Sequence, residues 1–209
     1  MRIPKHIAII PDGNRRWALS HGYPKQEGYG YGILPGLSAL RTAAKYDIKE
    51  ITYYGFTTDN CHRPKVQVEA FRKACVEAVE QIKCEDTALL VVGDEASPYF
   101  PGELRPYCKR TSFGSGKTKV NFLVNYGWEW DMSGTEKGKT PLSRLRSKEI
   151  SNIDLVIRWG GRRRLSGLLP VQSVYADFYV IDKLWPEFRP EDITAALNWY
   201  DKQDITRGG

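Results

Sequence analysis

The chain has 209 residues, 41% of them hydrophobic and 27% charged, a balance that is typical of a globular protein and excludes a disordered one. This length suits one domain with a sizeable core, so we expect residues 1–209 to form a single domain. The net charge of +6 favours anionic partners, either phosphorylated small molecules or anionic membrane surfaces. The excess is too small to indicate nucleic acid, and we expect no nucleic-acid partner.

The four cysteines form no CxxC pair and have no histidine at ligand spacing, so no zinc site is expected. Reduced thiols of this kind are typical of a cytoplasmic protein. A strand predicted directly after Pro4 leaves no room for a signal peptide, and no run of about 20 apolar residues indicates a membrane span. We therefore expect cytoplasmic localisation with at most peripheral membrane contact.

Six strands are predicted from apolar and β-branched runs that end at turn residues, over 7–10, 50–56, 87–92, 119–125, 154–158 and 178–181. Helices are predicted over 34–46, 64–83, 101–110, 142–146, 168–175 and 190–201. The glycine- and tyrosine-rich residues 28–32 are expected to be irregular, and residues 128–151 to be mostly loop. This alternation predicts an α/β fold with a mostly parallel six-stranded sheet flanked by helices.

The helix predicted over 64–83 has one apolar face. Its members recur at helical spacing and are Val68, Phe71, Cys75, Val79 and Ile82. Packing in the core is favoured as the role of this face, with a ligand-binding wall as the alternative.

Polar clusters follow three of the predicted strands, at residues 12–16, 60–63 and 158–166. Ligands of parallel sheets bind beyond the carboxyl ends of the strands, so these clusters are expected to share one cleft. The first cluster lies at a strand, turn and helix start, where unpaired N–H groups and the helix dipole attract anions. Asp12 among arginines fits a divalent cation that bridges the carboxylate to a phosphate. An Asp-Gly turn followed by solvated arginines remains an alternative on these residues alone.

Residues 7–18, read as Ile-Ala-Ile-Ile-Pro-Asp-Gly-Asn-Arg-Arg-Trp-Ala, resemble the first motif of the cis-prenyltransferases, the family of undecaprenyl diphosphate synthase. Residues 56–64 and 154–161 resemble the second and third motifs, and residues 175–179 and 184–186 continue the match. The resemblance implies a butterfly-shaped α/β homodimer that condenses two prenyl diphosphates with Mg²⁺.

The resemblance also implies roles for individual residues. The catalytic set is Asp12, Asn14, Tyr29 and Asn60, of which the two asparagines match residues that help the diphosphate leave and a proton depart. Asp12 and Asp177 would be metal ligands, Asp177 standing where the family has a glutamate. The substrate-binding set is Gly13, Arg15, Arg16, Trp17, Lys25, Thr57, Arg63, Arg158, Arg162, Arg164 and Ser166.

Within that set, residues 13–16 and Arg63 match the site of the allylic diphosphate, and Arg158, Arg164 and Ser166 match the site of the second diphosphate. The C-terminal residues 207–209 match an Arg-x-Gly segment that closes over a phosphate across the dimer.

Several positions depart from the family pattern. Pro11 and Arg15 stand where Met and Gly are usual, and Cys61 replaces an aromatic residue. Lys25 and Tyr29 stand where the family usually has an Arg and then a His. A proton-shuttling imidazole is therefore missing, although the Tyr29 hydroxyl can still donate a hydrogen bond.

Arg162 replaces an acidic residue and so reverses a charge at the site of the second substrate. The chain is also short between residues 126 and 154, and the helix after Pro64 is shorter than in long-chain synthases, which predicts a small apolar compartment and a short product. These departures favour an irregular, non-head-to-tail condensation with an allylic acceptor such as dimethylallyl diphosphate and a branched product, resembling the lavandulyl-type synthases.

Two alternatives stay open. One is a regular short-chain cis-prenyl diphosphate synthase that uses isopentenyl diphosphate. The other is a non-catalytic subunit of a heterodimeric cis-prenyltransferase, although such subunits tend to lose the first Asp and the arginines that this chain keeps.

Overall fold

Seven strands form one sheet in the computed structural model, which describes residues 1–134, 140 and 142–204. The strands are β1 (His6–Ile10), β2 (Glu50–Thr57), β3 (Thr87–Val92), β4 (Thr111–Phe113), β5 (Thr118–Tyr126), β6 (Leu155–Trp159) and β7 (Asp177–Ile181). Their order across the sheet is β4-β3-β5-β2-β1-β6-β7, and every neighbouring pair is parallel except β3 with β4. The predicted α/β fold with a mostly parallel sheet is confirmed.

The prediction of six strands is wrong by one, because β4 was missed. This strand has three residues, lies at the edge of the sheet and pairs antiparallel with β3. Its sequence, Thr-Ser-Phe, contains no apolar run, and its pairing depends on a neighbour more than twenty positions away. The local sequence pattern therefore gives almost no indication of strand β4.

Six α-helices accompany the sheet within the described residues: α1 (Asn14–Ser20), α2 (Gly28–Tyr31), α3 (Ile33–Lys45), α4 (Lys65–Ile82), α5 (Trp128–Met132) and α6 (Pro190–Tyr200). Short 3-10 helices lie at Lys25–Glu27, Thr58–His62, Gly102–Cys108, Leu142–Arg144 and Trp185–Glu187. The helices predicted over 34–46, 64–83 and 190–201 are confirmed to within a residue or so at each end.

Two local predictions are wrong. Residues 28–31 form helix α2 where irregular backbone was expected over 28–32, because glycine lets α2 approach α1 so closely that a Cβ at Gly28 would meet the Asn14 carbonyl. The helix expected over 168–175 is a series of turns that follows left-handed backbone at Gly167 (φ +82°). The short helix expected over 101–110 is present as a 3-10 helix over Gly102–Cys108, and Pro106 inside it disfavours an α-helix.

The two faces of the sheet are buried in different ways. Helices α3, α4 and α6 cover the face that carries Ile7 and Ile9. The opposite face, which carries Ala8 and Ile10, packs against apolar side chains from the irregular segments around residues 150–153 and 165–178. Strands buried on both sides explain why their sequences are almost continuously apolar.

A buried polar network lies at the amino-terminal end of the sheet, opposite the strand ends that carry the polar clusters. The His6 Nε2 atom lies 2.8 Å from the Thr52 hydroxyl, which also accepts a 3.0 Å hydrogen bond from the Asn121 side chain. The same Asn121 amide donates to Glu50 at 2.7 Å. Burial lowers the pKa of His6, and the neutral ring fits this site, with Nδ1 donating to the Ser151 carbonyl at 3.1 Å.

This network predicts a stability change with pH. Because the pKa of His6 is lower in the folded state, the unfolded chain binds more protons once the pH falls below the ordinary value of 6.5. The stabilisation is complete above that pH and is lost below it, by at most about 1.4 kcal/mol per pH unit for one group. We expect His6→Gln to flatten the dependence of the unfolding free energy on pH between 7 and 5.5, measured by urea denaturation.

The matched control for this experiment is His21→Gln, because His21 is exposed. It should keep the pH dependence of the unaltered protein. Equal slopes for the unaltered protein and for His6→Gln would contradict the assignment.

Candidate active site

A polar cleft of roughly 600 Å³ opens at the carboxyl ends of β1, β2 and β6. The three polar clusters expected from the sequence meet here although they are far apart in the chain. The sequence-predicted site residues in its lining are Asp12, Gly13, Asn14, Arg15, Arg16, Lys25, Tyr29, Thr57, Asn60, Arg63, Arg158, Arg162, Arg164 and Ser166. The structure thus brings these residues together, while the role of each stays a prediction.

The cleft is strongly cationic. Seven arginine and lysine side chains and two aspartates, Asp12 and Asp59, line it, so the excess is five positive charges. A concave surface with this balance attracts polyanions such as diphosphates.

The cleft has a first side at α1 and α4 and a second side at β6 and the loop after it, and Arg158 connects the two. Its side chain is only 5% exposed, and its Nη2 atom donates to Asp12 Oδ2 at 2.9 Å. Its Nη1 atom donates to the Ser166 hydroxyl at 2.8 Å and to the Arg164 carbonyl. The end of β1 is therefore tied through β6 to the loop that carries Arg164 and Ser166.

Glycines allow the close approach of Arg16 to the second side. The Arg16 Nη2 atom donates to the Gly160 carbonyl at 2.8 Å and lies 3.6 Å from Asp12 Oδ1. Gly160 has a left-handed backbone (φ +84°), and a Cβ there would collide with the Arg16 guanidinium. A side chain at this position would displace a cation of the cleft.

Asn14 lies where the polar cleft meets a smaller apolar pocket. Helix α1 begins at this residue, with the Trp17 N–H donating to the Gly13 carbonyl at 2.9 Å, so the preceding amides of the first turn lack intrahelical acceptors. The Asn14 side-chain amide donates to the Pro11 carbonyl at 3.0 Å, and its Oδ1 atom is buried without a partner among the described residues. Asn14 therefore lines both the cleft and the apolar pocket.

Two further donors come from the region after β2. Asn60 accepts the Thr57 N–H on Oδ1 at 3.3 Å, which leaves its NH₂ group available to a ligand. Arg63 donates from Nη1 to the Tyr29 oxygen at 2.9 Å. Burial lowers the pKa of Arg63, and the neighbouring Arg15 acts in the same direction, although an arginine remains charged at neutral pH. Because the Tyr29 oxygen accepts this hydrogen bond, its own O–H can donate into the cleft.

Sequence reasoning missed Gln67 of α4 and the contact of Phe71 with Tyr29, both of which support these groups. The Phe71 ring stacks on Tyr29 with centroids 4.3 Å apart and an interplanar angle of 4°, and the Arg63 guanidinium lies 5.8 Å from the Phe71 centroid. Gln67 accepts a 3.3 Å hydrogen bond from Arg15 Nη1. Gln67 and Phe71 are one helical turn apart, a spacing that puts them on one face, but only the fold shows what that face meets.

The apolar pocket continues from the cleft between α3, α4 and β2. It is small, about 80 Å³, and shares Pro11, Asn14, Tyr29, Gly55 and Phe71 with the cleft. Deeper apolar residues in its lining are Leu37, Tyr53, Ala74, Cys75, Ala78, Ile82 and Phe122. The apolar face of α4 packs in the core as expected, since Val68 and Val79 lie there, and Phe71, Cys75 and Ile82 also line this pocket. A role of these residues as a ligand-binding wall stays a prediction.

Two of the sequence-predicted residues lie elsewhere. Asp177 begins β7 and so lies at the amino-terminal edge of the parallel sheet, 3.8 Å from Arg2, whereas Asp12 follows the carboxyl end of β1. Burial raises the pKa of Asp177. Trp17 is outside the cleft lining and packs on Tyr31 and His21. The segment 207–209 lies outside the described residues.

The described part of the chain has no group of three or more His, Cys, Asp or Glu side chains placed to hold a metal ion. Mg²⁺ usually binds through one or two carboxylates and completes its coordination with waters and substrate phosphates. The half-buried Asp12 in a phosphate-sized cationic cleft fits that mode of binding.

The chain is similar to known proteins over almost its whole length. The family model described as "Putative undecaprenyl diphosphate synthase" matches residues 10–208. The ditrans,polycis-undecaprenyl-diphosphate synthase ((2E,6E)-farnesyl-diphosphate specific) of Yersinia pseudotuberculosis is 31% identical over 232 residues, covering 100% of this chain and 91% of that protein. The enzyme of the same name from Escherichia coli K12 is 29% identical, covering 98% of this chain and 90% of that protein.

A solved structure also resembles the chain. Lavandulyl diphosphate synthase from Lavandula x intermedia, in complex with dimethylallyl diphosphate, matches with a TM-score of 0.85 and 23% identity, over 99% of this chain and 98% of that one. At this identity the likeness shows the shared fold.

The packing around Asn14 gives a test with a matched control. A Cβ at Gly32 would lie 2.7 Å from Asn14 Oδ1 and 2.9 Å from Trp185 Cδ1, whereas a Cβ at Gly30 would meet nothing within 4 Å. We expect Gly32→Ala to shift Asn14 and slow diphosphate release from prenyl diphosphates about tenfold or more. Gly30→Ala should leave that rate unchanged.

Both variants should be checked for thermal stability, so that a loss of folded protein is not taken for a loss of catalysis. Equal rates of diphosphate release for the two variants would contradict the expectation that the position of Asn14 affects this reaction.

Proposed function

The chain belongs to the undecaprenyl diphosphate synthase family, the cis-prenyltransferases, and we propose that it joins an allylic prenyl diphosphate to a second, allylic acceptor such as dimethylallyl diphosphate. Transfer of a prenyl group is the activity of the family. The irregular acceptor and the short branched product are specific to this proposal. The main observation in favour of this proposal is that the cationic cleft is continuous with a very small apolar pocket.

The cleft offers two cationic sides for two diphosphates. Arg15, Arg16 and Arg63 lie on the side of α1 and α4, and Arg158, Arg162 and Arg164 come from β6 and the loop after it. Asp12 contacts Arg16 from the first side and Arg158 from the second. A cation held at Asp12 would therefore be close to both diphosphates.

The reaction begins when the allylic C–O bond breaks and its electron pair stays on the departing diphosphate. The arginines are already in place to stabilise that charge, each charged hydrogen bond contributing about 1.5 to 3 kcal/mol. The Tyr29 hydroxyl and the Asn60 amide are further donors toward the leaving group. The double bond of the acceptor then attacks the allylic carbon, a C–C bond forms, and a proton is lost.

The apolar pocket would hold the hydrocarbon part of the donor and exclude water from the allylic cation. The aromatic faces of Tyr29 and Phe71 line the junction of cleft and pocket, where they can stabilise a carbocation through cation–π attraction.

Asp12 would hold Mg²⁺, which supplies additional neutralisation of diphosphate charge when it is bound. Asp177 lies at the opposite edge of the sheet in its own chain, so it would reach a metal at Asp12 only from a second copy. Its role as a ligand therefore depends on the homodimer that the family resemblance implies, and both remain part of this proposal.

The size of the apolar pocket supports a short product. A cavity of about 150 Å³ binds benzene, a molecule of six carbons. The pocket here is about half that volume, which is too small for a hydrocarbon longer than one five-carbon prenyl unit. The Phe122 ring meets the Tyr53 ring edge-on at 6.5 Å, and the Tyr53 hydroxyl is fixed to the Gly36 carbonyl at 2.8 Å, so aromatic side chains limit the depth.

A regular short-chain synthase that uses isopentenyl diphosphate is the nearest alternative. It is favoured by the sequence relatives, whose names describe undecaprenyl diphosphate synthases. The irregular reaction is favoured by Arg162 in the cleft lining and by Tyr29 in place of a titratable imidazole. A non-catalytic subunit is disfavoured because Asp12 and six of the expected arginines line one cleft.

The deciding experiment is product analysis after incubation of the purified chain with Mg²⁺ and dimethylallyl diphosphate, with and without isopentenyl diphosphate. We expect a branched ten-carbon diphosphate and released diphosphate from dimethylallyl diphosphate alone. Asp12→Asn should abolish both.

A product formed only when isopentenyl diphosphate is present would replace the proposal with regular condensation. No product under either condition would favour the non-catalytic subunit.

A second test addresses pocket depth. Phe122→Val removes the ring that limits the pocket, and we expect kcat/KM for geranyl diphosphate relative to dimethylallyl diphosphate to rise at least tenfold. Phe113→Val in β4 is the matched control, because Phe113 is a strand residue of the same sheet outside the pocket lining. An unchanged ratio in a folded Phe122→Val protein would show that Phe122 does not set the chain length.

A further inference from the structure

A strained turn lies on the second side of the cleft, over residues 164–167, and we call it the Ser166 turn. Ser166 has left-handed backbone (φ +53°), which is uncommon for a residue with a side chain. Gly167 follows it with left-handed backbone as well (φ +82°). Strained backbone of this kind persists only where surrounding contacts hold it, so the contacts of this turn matter for its position.

The Tyr54 hydroxyl is one of the contacts that hold the Ser166 turn. It donates to the Ser166 carbonyl at 2.7 Å. Tyr54 lies on β2, whereas the turn follows β6, and β1 separates these two strands in the sheet. Tyr54 is only 7% exposed, and burial raises its pKa, so the hydroxyl keeps the proton that it donates. This hydrogen bond therefore ties the turn to a strand that is not its neighbour.

The Ser166 side chain has a donor that its protein contacts do not use. Its hydroxyl oxygen accepts a 2.8 Å hydrogen bond from Arg158 Nη1. A serine hydroxyl also has one O–H donor, and no acceptor for that donor lies among the described residues. Ser166 and Tyr54 both line the cleft. The O–H group is therefore available to an oxygen of a diphosphate on the second side.

We propose that Tyr54 is a positioning residue for the diphosphate of the second substrate. By holding the Ser166 carbonyl, it keeps the Ser166 hydroxyl and the Arg164 carbonyl in line with Arg158, which donates to both. Without this hydrogen bond the left-handed backbone can relax and move the Ser166 donor. The inference rests on the proposed function, because it assigns the second diphosphate to this side of the cleft.

The Tyr54 ring has a separate role in the core. It belongs to the apolar cluster that contains Leu168 and Leu169, and it meets the Tyr126 ring edge-on at 6.1 Å. The variant Tyr54→Phe keeps this ring and removes only the hydroxyl. It therefore separates the position of the turn from packing of the core.

The test is calorimetric titration of the full chain with inorganic diphosphate in the presence of Mg²⁺. We expect the unaltered chain to bind two diphosphates, and the event that Ser166→Ala weakens is the one on the second side. Tyr54→Phe should weaken that event about tenfold and leave the other unchanged. The matched control is Tyr46→Phe, which removes a hydroxyl bonded to Thr194 at 2.9 Å outside the cleft lining and should change neither event.

A double variant tests whether Tyr54 acts through Ser166. In a Ser166→Ala chain, Tyr54→Phe should change the affinity of the second side less than about twofold, because the donor that it positions is already absent. In turnover assays, Tyr54→Phe should raise KM for dimethylallyl diphosphate with little change in kcat. A tenfold loss of affinity in both backgrounds, or a lower kcat at unchanged KM, would overturn the proposal.

Thermal denaturation should show that Tyr54→Phe remains folded. Gly167→Ala is a second variant that disturbs the same turn, because its Cβ would lie 2.9 Å from Trp128 Cδ1 and 3.4 Å from the Tyr54 hydroxyl. It should cause the same selective loss, and unchanged diphosphate binding in either folded variant would contradict the proposal. Absence of product from dimethylallyl diphosphate would count against the proposed function, whereas the titration needs no turnover and would still decide the role of Tyr54.

Discussion

The pairing of Arg158 with Asp12 is the interaction on which the cleft depends. A guanidinium that is only 5% exposed needs a partner, because an uncompensated buried charge is strongly destabilising. Arg158 finds one in Asp12 and also binds Ser166 and the Arg164 carbonyl. One side chain therefore joins β1, β6 and the basic loop after β6. The same pairing holds the Asp12 carboxylate between the two cationic sides of the cleft.

The remaining cations of the cleft have few anionic partners, and the fold holds them in place by other means. Arg15 bonds to the neutral Gln67, Arg63 bonds to Tyr29, and Tyr29 stacks on Phe71. Such neutral supports fix positions without cancelling charge. The electrostatic repulsion that results is a cost to stability that bound diphosphates would relieve, so ligand binding should stabilise the chain.

The depth of the apolar pocket links the packing of the chain to the short product that we propose. Sequence reasoning predicted a small compartment from missing residues. The Yersinia alignment spans 232 positions and this chain has 209 residues, so at least 23 positions have no counterpart here. The structure adds a physical limit, namely the edge-on contact of Phe122 with Tyr53. Retained residues therefore limit the depth of the pocket, in addition to the effect expected from the missing residues.

The sequence by itself determined the parallel α/β sheet, the long helix α4 and the meeting of three polar clusters at one rim. Each follows from a local regularity: apolar strands, helical spacing, and the rule that parallel strands end at one edge. Tertiary structure decided the rest. The β4 edge strand, the helical form of residues 28–31, the support from Gln67 and Phe71, and the distance of Asp177 from Asp12 depend on contacts between segments far apart in the chain. A local pattern cannot encode such contacts, because they arise only when packing brings those segments together.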